Sequence, residues 1–369
     1  MRTIEHIASQ KTNQTFANET NNQEKSKKNR IWELDFIRGL TILGMVVDHG
    51  IYDLINLRGF FYNYDMIDLD WVNRMDIALI HWYNNGRQYF HNFAILFFLI
   101  CGISSTFSKN NWKHALKILL SSLVLMIASY SIYHISFAFD QVGAIDFRLL
   151  FGTLYALGMG ALFVSLIPQI FIWFGQWKEF IKEKSSLRRG ENYTKKKVKE
   201  PTWTKWVYLG VGAGLILFWI IYTYTAIYPN SSAGYVRNFS DFWYWWIRKY
   251  DSAAYLRYVD LYSPQRASNW FAQIFGLNFN DFLLCAIGLK GVGSDFFSLI
   301  PWVGWTLIGA FLGKTIYKKK ESLLPKLNGK WNKPFTWVGI NSLWVYIFHQ
   351  PLLIVLISIV FCPMGYRFF

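Results

Sequence analysis

Apart from Asp48, which points elsewhere, four ionisable residues in or beside the first apolar stretch are spaced so that they lie on one side of a helix. They are Asp35, Arg38, His49 and Asp53. At about 100° per residue, the four fall within roughly a 60° arc. A histidine with a carboxylate one turn away can act as an oriented base, because the carboxylate holds the imidazole tautomer and supports the imidazolium. Alternatively, His49 and Asp53 form a buried structural hydrogen bond, and Arg38 only reaches lipid phosphates.

The second apolar stretch carries a weaker form of the same pattern. Arg87, His91 and Ser105 share a helical face, and His81 lies in the polar segment just before them. Such residues can line a functional pocket, or they can serve only as hydrogen-bonding contacts between helices. Taken alone, His81 is typical of a solvated loop histidine.

The last apolar stretch offers a third polar stripe. Ser342, Tyr346 and His349 follow one another at i, i+4 and i+7. Pro351 has no N–H, which frees the carbonyl near residue 347 to accept another partner. The wall of a pocket and a structural polar network both fit this pattern. Ahead of the sixth apolar stretch, Asp295 either caps the incoming helix or contacts a substrate.

These polar residues stand in a chain that is too apolar for a soluble globule. Of its 369 residues, 53% are hydrophobic and 17% charged, and the mean hydropathy is +0.17. Continuous apolar runs predict an all-α, polytopic membrane helix bundle with about seven transmembrane helices, each of about 20 residues. This excludes a soluble enzyme, a collagen-like fibre and a disordered tail protein. The predicted spans are roughly 36–57, 90–108, 115–138, 148–174, 206–227, 296–316 and 336–361.

The basic residues predict the orientation of the bundle. The net charge of +15 is concentrated in loops, so it reports membrane topology and not nucleic-acid binding. Segment 178–205 holds ten Lys and Arg residues, and 318–333 holds six Lys. Both fall on the side of residues 1–30, which we predict to be a disordered cytoplasmic tail. Residues 31–369 then form one transmembrane domain, with an aromatic-rich external segment at 228–295.

The external segment, the cysteines and the glycines each support a further prediction. The aromatic residues of 228–295 suit either a membrane interface or a surface on which sugar rings stack. Within this segment, 269–289 is interrupted by polar residues and is predicted to be external or re-entrant. Three cysteines show no disulfide or zinc spacing, so no metal site is expected. Two glycine pairs have the spacing of close helix packing: Gly210 with Gly214, and Gly309 with Gly313.

Several motifs occur in a recognisable order in the first two and last two spans. They are Glu33-Leu-Asp35-Phe-Ile-Arg38-Gly39 followed by His49-Gly-Ile-Tyr52-Asp53-Leu54, then Phe98-Leu-Ile-Cys-Gly102-Ile-Ser-Ser105, Asp295-Phe-Phe-Ser-Leu-Ile-Pro301-Trp302 and Leu343-Trp-Val-Tyr-Ile-Phe-His349-Gln350-Pro351. Together they resemble the transmembrane acyltransferase superfamily, and most closely the bacterial relatives of heparan-alpha-glucosaminide N-acetyltransferase. Two positions depart from the pattern: Asp48 replaces an apolar residue, and Ser298 replaces a proline.

The resemblance implies an integral enzyme of a bacterial-type plasma membrane, with its N-terminus in the cytoplasm. It would move an acetyl group from cytoplasmic acetyl-CoA to an amine or hydroxyl of an extracytoplasmic sugar or glycan. The sugar N-acetyltransferase carries a catalytic histidine shortly before an Asn-Gly pair, which here points to His81 before Asn85-Gly86. The bacterial relatives share the histidine of the first span, here His49, so both stay candidates, with Asp53 as the residue that orients the base.

The same resemblance implies the substrate contacts. Arg38 and nearby cytoplasmic lysines would attract the phosphates of CoA. The expected substrate-binding residues are Asp35, Arg38, His91, Asp295, Trp302 and His349.

Two other classes of function compete with the acyltransferase. A proton-coupled transporter of a small polar solute also needs buried His, Asp and Arg residues, although no inverted repeat is present. A non-catalytic membrane scaffold would have to explain charged residues on one face of three spans.

Overall fold

The computed structural model describes residues 30–367, except for 56, 62, 68, 109–110, 140–147, 223–260, 262–266, 268 and 293–295. The described residues form helices joined by short connections, with no β-strand among them. The predicted tail before residue 30 and most of the predicted external segment 228–295 lie outside the described residues. The helices are α1 (Trp32–Ile55), α2 (Leu57–Phe60), α3 (Asp70–Ser105), α4 (Asn111–Phe139), α5 (Thr153–Arg188), α6 (Thr204–Tyr222), α7 (Trp270–Phe275), α8 (Phe279–Ile287), α9 (Leu299–Thr315), α10 (Lys333–Ile340) and α11 (Ser342–Phe361).

Four of these helices, α4, α5, α6 and α11, are long and apolar enough to cross a membrane. The predicted all-α membrane bundle is therefore confirmed. Three other predicted spans fall short in length or composition. Helix α9 has 17 residues, the apolar part of α3 covers only Phe93–Ser105, and α1 carries several ionisable residues. The number of seven spans stays a prediction.

Helix α9 lies in the middle of the bundle and packs against α3, α5 and α6. A helix surrounded by others is expected to be apolar on all sides. In agreement, Trp302, Val303, Leu307 and Ala310 are all at most 2% exposed. The predicted binding residue Trp302 therefore lies in the core of the protein.

The crossing of α3 and α9 depends on two glycines, one in each helix, and each glycine faces the backbone of the other helix. A Cβ atom on Gly102 would overlap the carbonyl of Thr306, and one on Gly309 would overlap the carbonyl of Leu99. Gly313, one turn further along, faces the backbone of the same helix α3. The predicted packing role of Gly309 and Gly313 is thus confirmed, because only a residue without Cβ lets the two backbones touch.

The packing role predicted for the other glycine pair is wrong. Gly210 and Gly214 face open space, with no atom within 4 Å of a Cβ built on either. The contact between α6 and α9 is made instead by Gly212 and Gly304, each facing the carbonyl oxygen of the other. Gly212 is two residues from each predicted glycine and therefore lies on the opposite face of α6, which is the face that meets α9.

Helix α1 packs against α3, α10 and α11. It crosses α10 where Gly39 faces the carbonyl of Phe335 and Gly339 faces the carbonyl of Asp35. Asn341 separates α10 from α11, which then runs beside the second half of α1. This arrangement brings the ionisable side of α1 against the polar stripe predicted in the last span.

The start of α1 and the two segments rich in Lys and Arg lie at one end of the bundle. Glu33, at the start of α1, accepts hydrogen bonds from the Ser322 hydroxyl at 2.8 Å and the Leu323 N–H at 2.7 Å. Lys314, at the end of α9, contacts Glu200 in segment 178–205 at 2.6 Å. The start of α1, segment 318–333 and segment 178–205 therefore share one side, as the distribution of Lys and Arg predicts.

The first predicted external loop is largely helical. Helix α3 begins at Asp70 and has 36 residues, so it is about 54 Å long and exceeds the hydrocarbon thickness of a bilayer. His81, expected in a loop, lies within this helix with its side chain exposed. In segment 269–289, the short helices α7 and α8 have six and nine residues, too few to cross a membrane.

Candidate functional site

A pair of histidines joins α1 to α11. Nδ1 of His49 lies 2.8 Å from Nε2 of His349, and the two ring centroids are 4.9 Å apart. Beside His49, Gly50 faces the Leu353 side chain of α11. His349 is buried and His49 is partly buried. The pair is formed by residues that are 300 positions apart in the sequence.

His349 is anchored within its own helix. Its Nδ1 lies 2.5 Å from the backbone carbonyl oxygen of Tyr346. The Tyr346 ring packs against the His349 ring, with the centroids 5.6 Å apart. Both imidazole nitrogens of His349 therefore have a partner, one in α11 and one in α1. This fixes the ring in one orientation toward His49.

Asp53, one turn after His49, is held by Gln350 and not by the histidine. The Gln350 side-chain NH₂ donates to both carboxylate oxygens of Asp53, at 3.0 and 2.9 Å. Asp53 is only 2% exposed. In the described part of the chain, no hydrogen bond joins Asp53 to His49. The structure thus puts His349, rather than Asp53, against the imidazole of His49.

Arg38 belongs to a second cluster on the same face of α1. Its guanidinium pairs with Asp35 at 2.9 Å and donates to the Ser104 hydroxyl of α3 at 2.5 Å and to the Gly339 carbonyl of α10 at 3.4 Å. Arg30 approaches the same carboxylate at 4.0 Å. Arg38 thereby ties three helices together. Along α1 it lies about 16 Å from His49, since the rise is 1.5 Å per residue.

The remaining predicted site residues are not part of the histidine pair as described. Trp302 packs against Phe98 at 4.7 Å and Phe297 at 4.8 Å between ring centroids, within the core. His81 lies in α3, on its exposed side. Asp295 and the side chain of His91 lie outside the described residues. Their predicted roles stay predictions.

Ser104 is not among the residues predicted from the sequence, and Gln350 appears there only within a motif, with no role assigned to it. Ser104 binds Arg38, whereas its predicted neighbour Ser105 donates its hydroxyl to the Cys101 carbonyl of the same helix. Gln350 holds Asp53. An amide side chain inside an apolar span is itself a signal, because an unpartnered polar group there is costly. The sequence offered no comparable reason to prefer Ser104 over Ser105.

The described residues contain a groove of about 410 Å³ between α4 and α11. Its α11 wall includes Ile347, which points about 200° around the helix from His349. The groove is therefore separate from the histidine pair. In the same described part of the chain, no three His, Cys, Asp or Glu side chains converge in a way that could hold a metal ion.

One segment of the chain matches a known family. Residues 266–351 match the family model described as heparan-alpha-glucosaminide N-acetyltransferase, catalytic. The matched segment runs from the residues before α7 into α11, and it includes Trp302, His349 and Gln350. No curated protein and no solved structure matches the chain. Over this segment the chain is similar to the catalytic region of heparan-alpha-glucosaminide N-acetyltransferase.

Proposed function

We propose that the protein transfers an acetyl group from cytoplasmic acetyl-CoA to an amine or hydroxyl of an extracytoplasmic sugar or glycan. The observation that carries this proposal is the His49–His349 pair. It places a partly buried imidazole of α1 against a residue of the family-matched segment. A charged cytoplasmic donor and an external acceptor can react only where both reach, within the bundle.

His49 acts as the general base in this proposal. It takes the proton from the acceptor hydroxyl or amine as that oxygen or nitrogen attacks the carbonyl carbon of the acetyl thioester. The tetrahedral intermediate then collapses, and the carbon–sulfur bond breaks. The CoA thiolate leaves and receives the proton from the His49 imidazolium. At the end of the reaction the acceptor carries the acetyl group, CoA is released as its thiol, and the His49 imidazole is neutral again.

The charge distribution supports the side from which CoA enters. The start of α1 and the two Lys-rich segments share one end of the bundle, and the phosphates of CoA are anionic. Positive-inside topology makes that end cytoplasmic, in a plasma membrane of bacterial type. Arg38 already binds Asp35, Ser104 and Gly339. Attraction of the phosphates therefore falls mainly to the lysines.

The test uses membrane vesicles that contain the protein and radiolabelled acetyl-CoA supplied on the side of the basic segments. We expect label to enter the glycan fraction with the wild-type protein, and to fall by a factor of about 10² or more in His49→Ala. The partly exposed His134, which lies outside the histidine pair, provides a matched control, and His134→Ala should transfer normally. Normal transfer by His49→Ala would refute His49 as the base. If His81→Ala alone lost activity, the base would be His81.

A proton-coupled transporter is the second candidate, and one observation favours it. Asp35, His49 and Asp53 lie on one face of α1, as in proton pathways of carriers. Uptake of a small polar solute into proteoliposomes, driven by a pH gradient and without hydrolysis of acetyl-CoA, would support this alternative. Binding of acetyl-CoA to the purified protein would count against it.

A further inference from the structure

The hydrogen bonds of His349 determine which of its nitrogens carries the proton. A backbone carbonyl can only accept, so the 2.5 Å contact with the Tyr346 oxygen requires a hydrogen on Nδ1 of His349. A neutral imidazole has a single N–H. Nε2 of neutral His349 is therefore unprotonated, and its lone pair is directed at His49.

The same reasoning determines which ring nitrogen of His49 carries the hydrogen. Its Nδ1 lies 2.8 Å from Nε2 of His349, and a hydrogen bond between two nitrogens needs one donor. Since Nε2 of His349 can only accept, Nδ1 of His49 carries the hydrogen. The lone pair of neutral His49 is then on Nε2. No hydrogen bond from the described residues occupies that nitrogen, so it is available to take a proton.

We propose that His349 is the positioning residue that holds His49 in the tautomer needed for a base. The inference rests on the proposed function, because it assigns how the proposed base is kept active. In the opposite tautomer, Nε2 of His49 would already be protonated and could not accept a proton. The order of bonds, from the Tyr346 carbonyl to His349 to His49, excludes that tautomer as long as His349 is neutral.

A neutral partner suits the position of this pair. A buried carboxylate beside His49 would itself need compensation in an apolar surrounding, whereas a neutral imidazole does not. When His49 takes a proton, its Nδ1–H still donates to His349, and the bond becomes charge-assisted. Other groups near the pair are Asp48 and Asp53 on α1 and Tyr346 on α11. Asp53, held by Gln350, adds a negative charge one turn from the imidazolium.

The first experiment observes the tautomer without any reaction. The full-length protein in detergent is labelled with ¹⁵N-histidine, and solid-state NMR separates protonated from unprotonated ring nitrogens. The His49 signals are identified by their loss in His49→Ala. We expect protonated Nδ1 and unprotonated Nε2 in the wild type, and a rise of the Nε2–H form in His349→Leu. A wild-type His49 that is protonated on Nε2 would overturn the inference.

The second experiment uses a series of variants at position 349. The side-chain oxygen of glutamine can occupy the place of Nε2 and accept from His49, so His349→Gln should keep activity within about tenfold. His349→Leu removes the acceptor and should lower kcat by about 10²–10⁴ with little change in the KM for acetyl-CoA. In His349→Glu, the carboxylate stabilises the His49 imidazolium. The acid limb of the kcat profile should then move to higher pH by about one unit.

The outcomes separate this inference from the proposed function and from a merely structural role. If His49→Ala is inactive while His349→Leu has normal kcat, only the positioning role fails. If His49→Ala is fully active, the role of His49 as the base fails together with the positioning role of His349, whereas the proposed function fails only if the wild-type protein transfers no acetyl group. A structural role would make the activity of all three variants follow their thermal stability, without movement of the acid limb. A higher KM at unchanged kcat would instead make His349 a substrate-binding residue and overturn the inference.

Discussion

Replacing Arg38 by alanine should destabilise the protein more than it weakens the binding of acetyl-CoA. The guanidinium compensates Asp35, whose side chain is only 12% exposed, and it also donates to Ser104 and Gly339. Removing one partner of a buried ion pair costs about 3–5 kcal/mol, because the other charge stays buried. Arg38 is itself 18% exposed, and Arg30 stays 4.0 Å from the carboxylate, so we take the low end, about 3 kcal/mol.

A double-mutant cycle measures this energy. The variants are Arg38→Ala, Asp35→Asn and the combination of both, in purified protein, with thermal unfolding followed by tryptophan fluorescence. About 3 kcal/mol corresponds to a loss of roughly 4 °C in Tm for a chain of this size. The double variant should recover a large part of that loss, because the uncompensated charge is gone.

An exposed ion pair in the same protein serves as the control. Arg74 pairs with Asp70 in α3, and the two side chains are 74% and 82% exposed. Arg74→Ala should cost less than about 0.5 kcal/mol, which is near the limit of the measurement. The reasoning is refuted if Arg38→Ala unfolds at the same temperature as Arg74→Ala. It is refuted further if Arg38→Ala instead raises the Kd for acetyl-CoA, since Arg38 would then bind phosphate.

Two more predictions concern packing and thiol reactivity. Gly309→Ala should lower the free energy of unfolding by at least about 3 kcal/mol and reduce the yield of folded protein, because its Cβ would overlap the Leu99 carbonyl. Gly214→Ala lies in open space and should be neutral or stabilising. Thermal unfolding of both variants tests this difference. A maleimide should label exposed Cys362 in the native protein and leave Cys285 unlabelled until the protein unfolds, because burial raises the pKa of the Cys285 thiol to about 12. Mass spectrometry identifies the labelled cysteine. Labelling of Cys285 before Cys362 would contradict the structure.

Hydropathy predicted an all-α membrane bundle but not the lengths of its helices. The residues from Asp70 to Gln88 are too polar to be counted as a span, and they were expected in an external loop. They contain no proline, so nothing in the backbone stops the helix that leads into Phe93–Ser105. The apolar content of a segment reports burial in lipid, whereas helix continuation depends on the backbone and on capping.

The glycine spacing rule was right for one pair of glycines and wrong for the other. The four-residue spacing of glycines identified Gly309 correctly, because α9 is surrounded on all sides and any face meets a neighbour. The same rule failed for Gly210, because α6 lies at the outside and only its other face is covered. A spacing rule defines a smooth helical face, but the packing of the whole bundle decides whether that face has a partner.

For the candidate site, the sequence by itself determined that Asp35, Arg38, His49 and Asp53 share one face of α1, because the helical period is a local property of the backbone. It also indicated the polar stripe with His349. Only the tertiary structure decided which polar groups meet. It paired His49 with His349 and Asp53 with Gln350 across about 300 residues, and it put Arg38 between three helices. Rotation and register of one helix against another depend on the packing of all the others, and no local pattern carries that information.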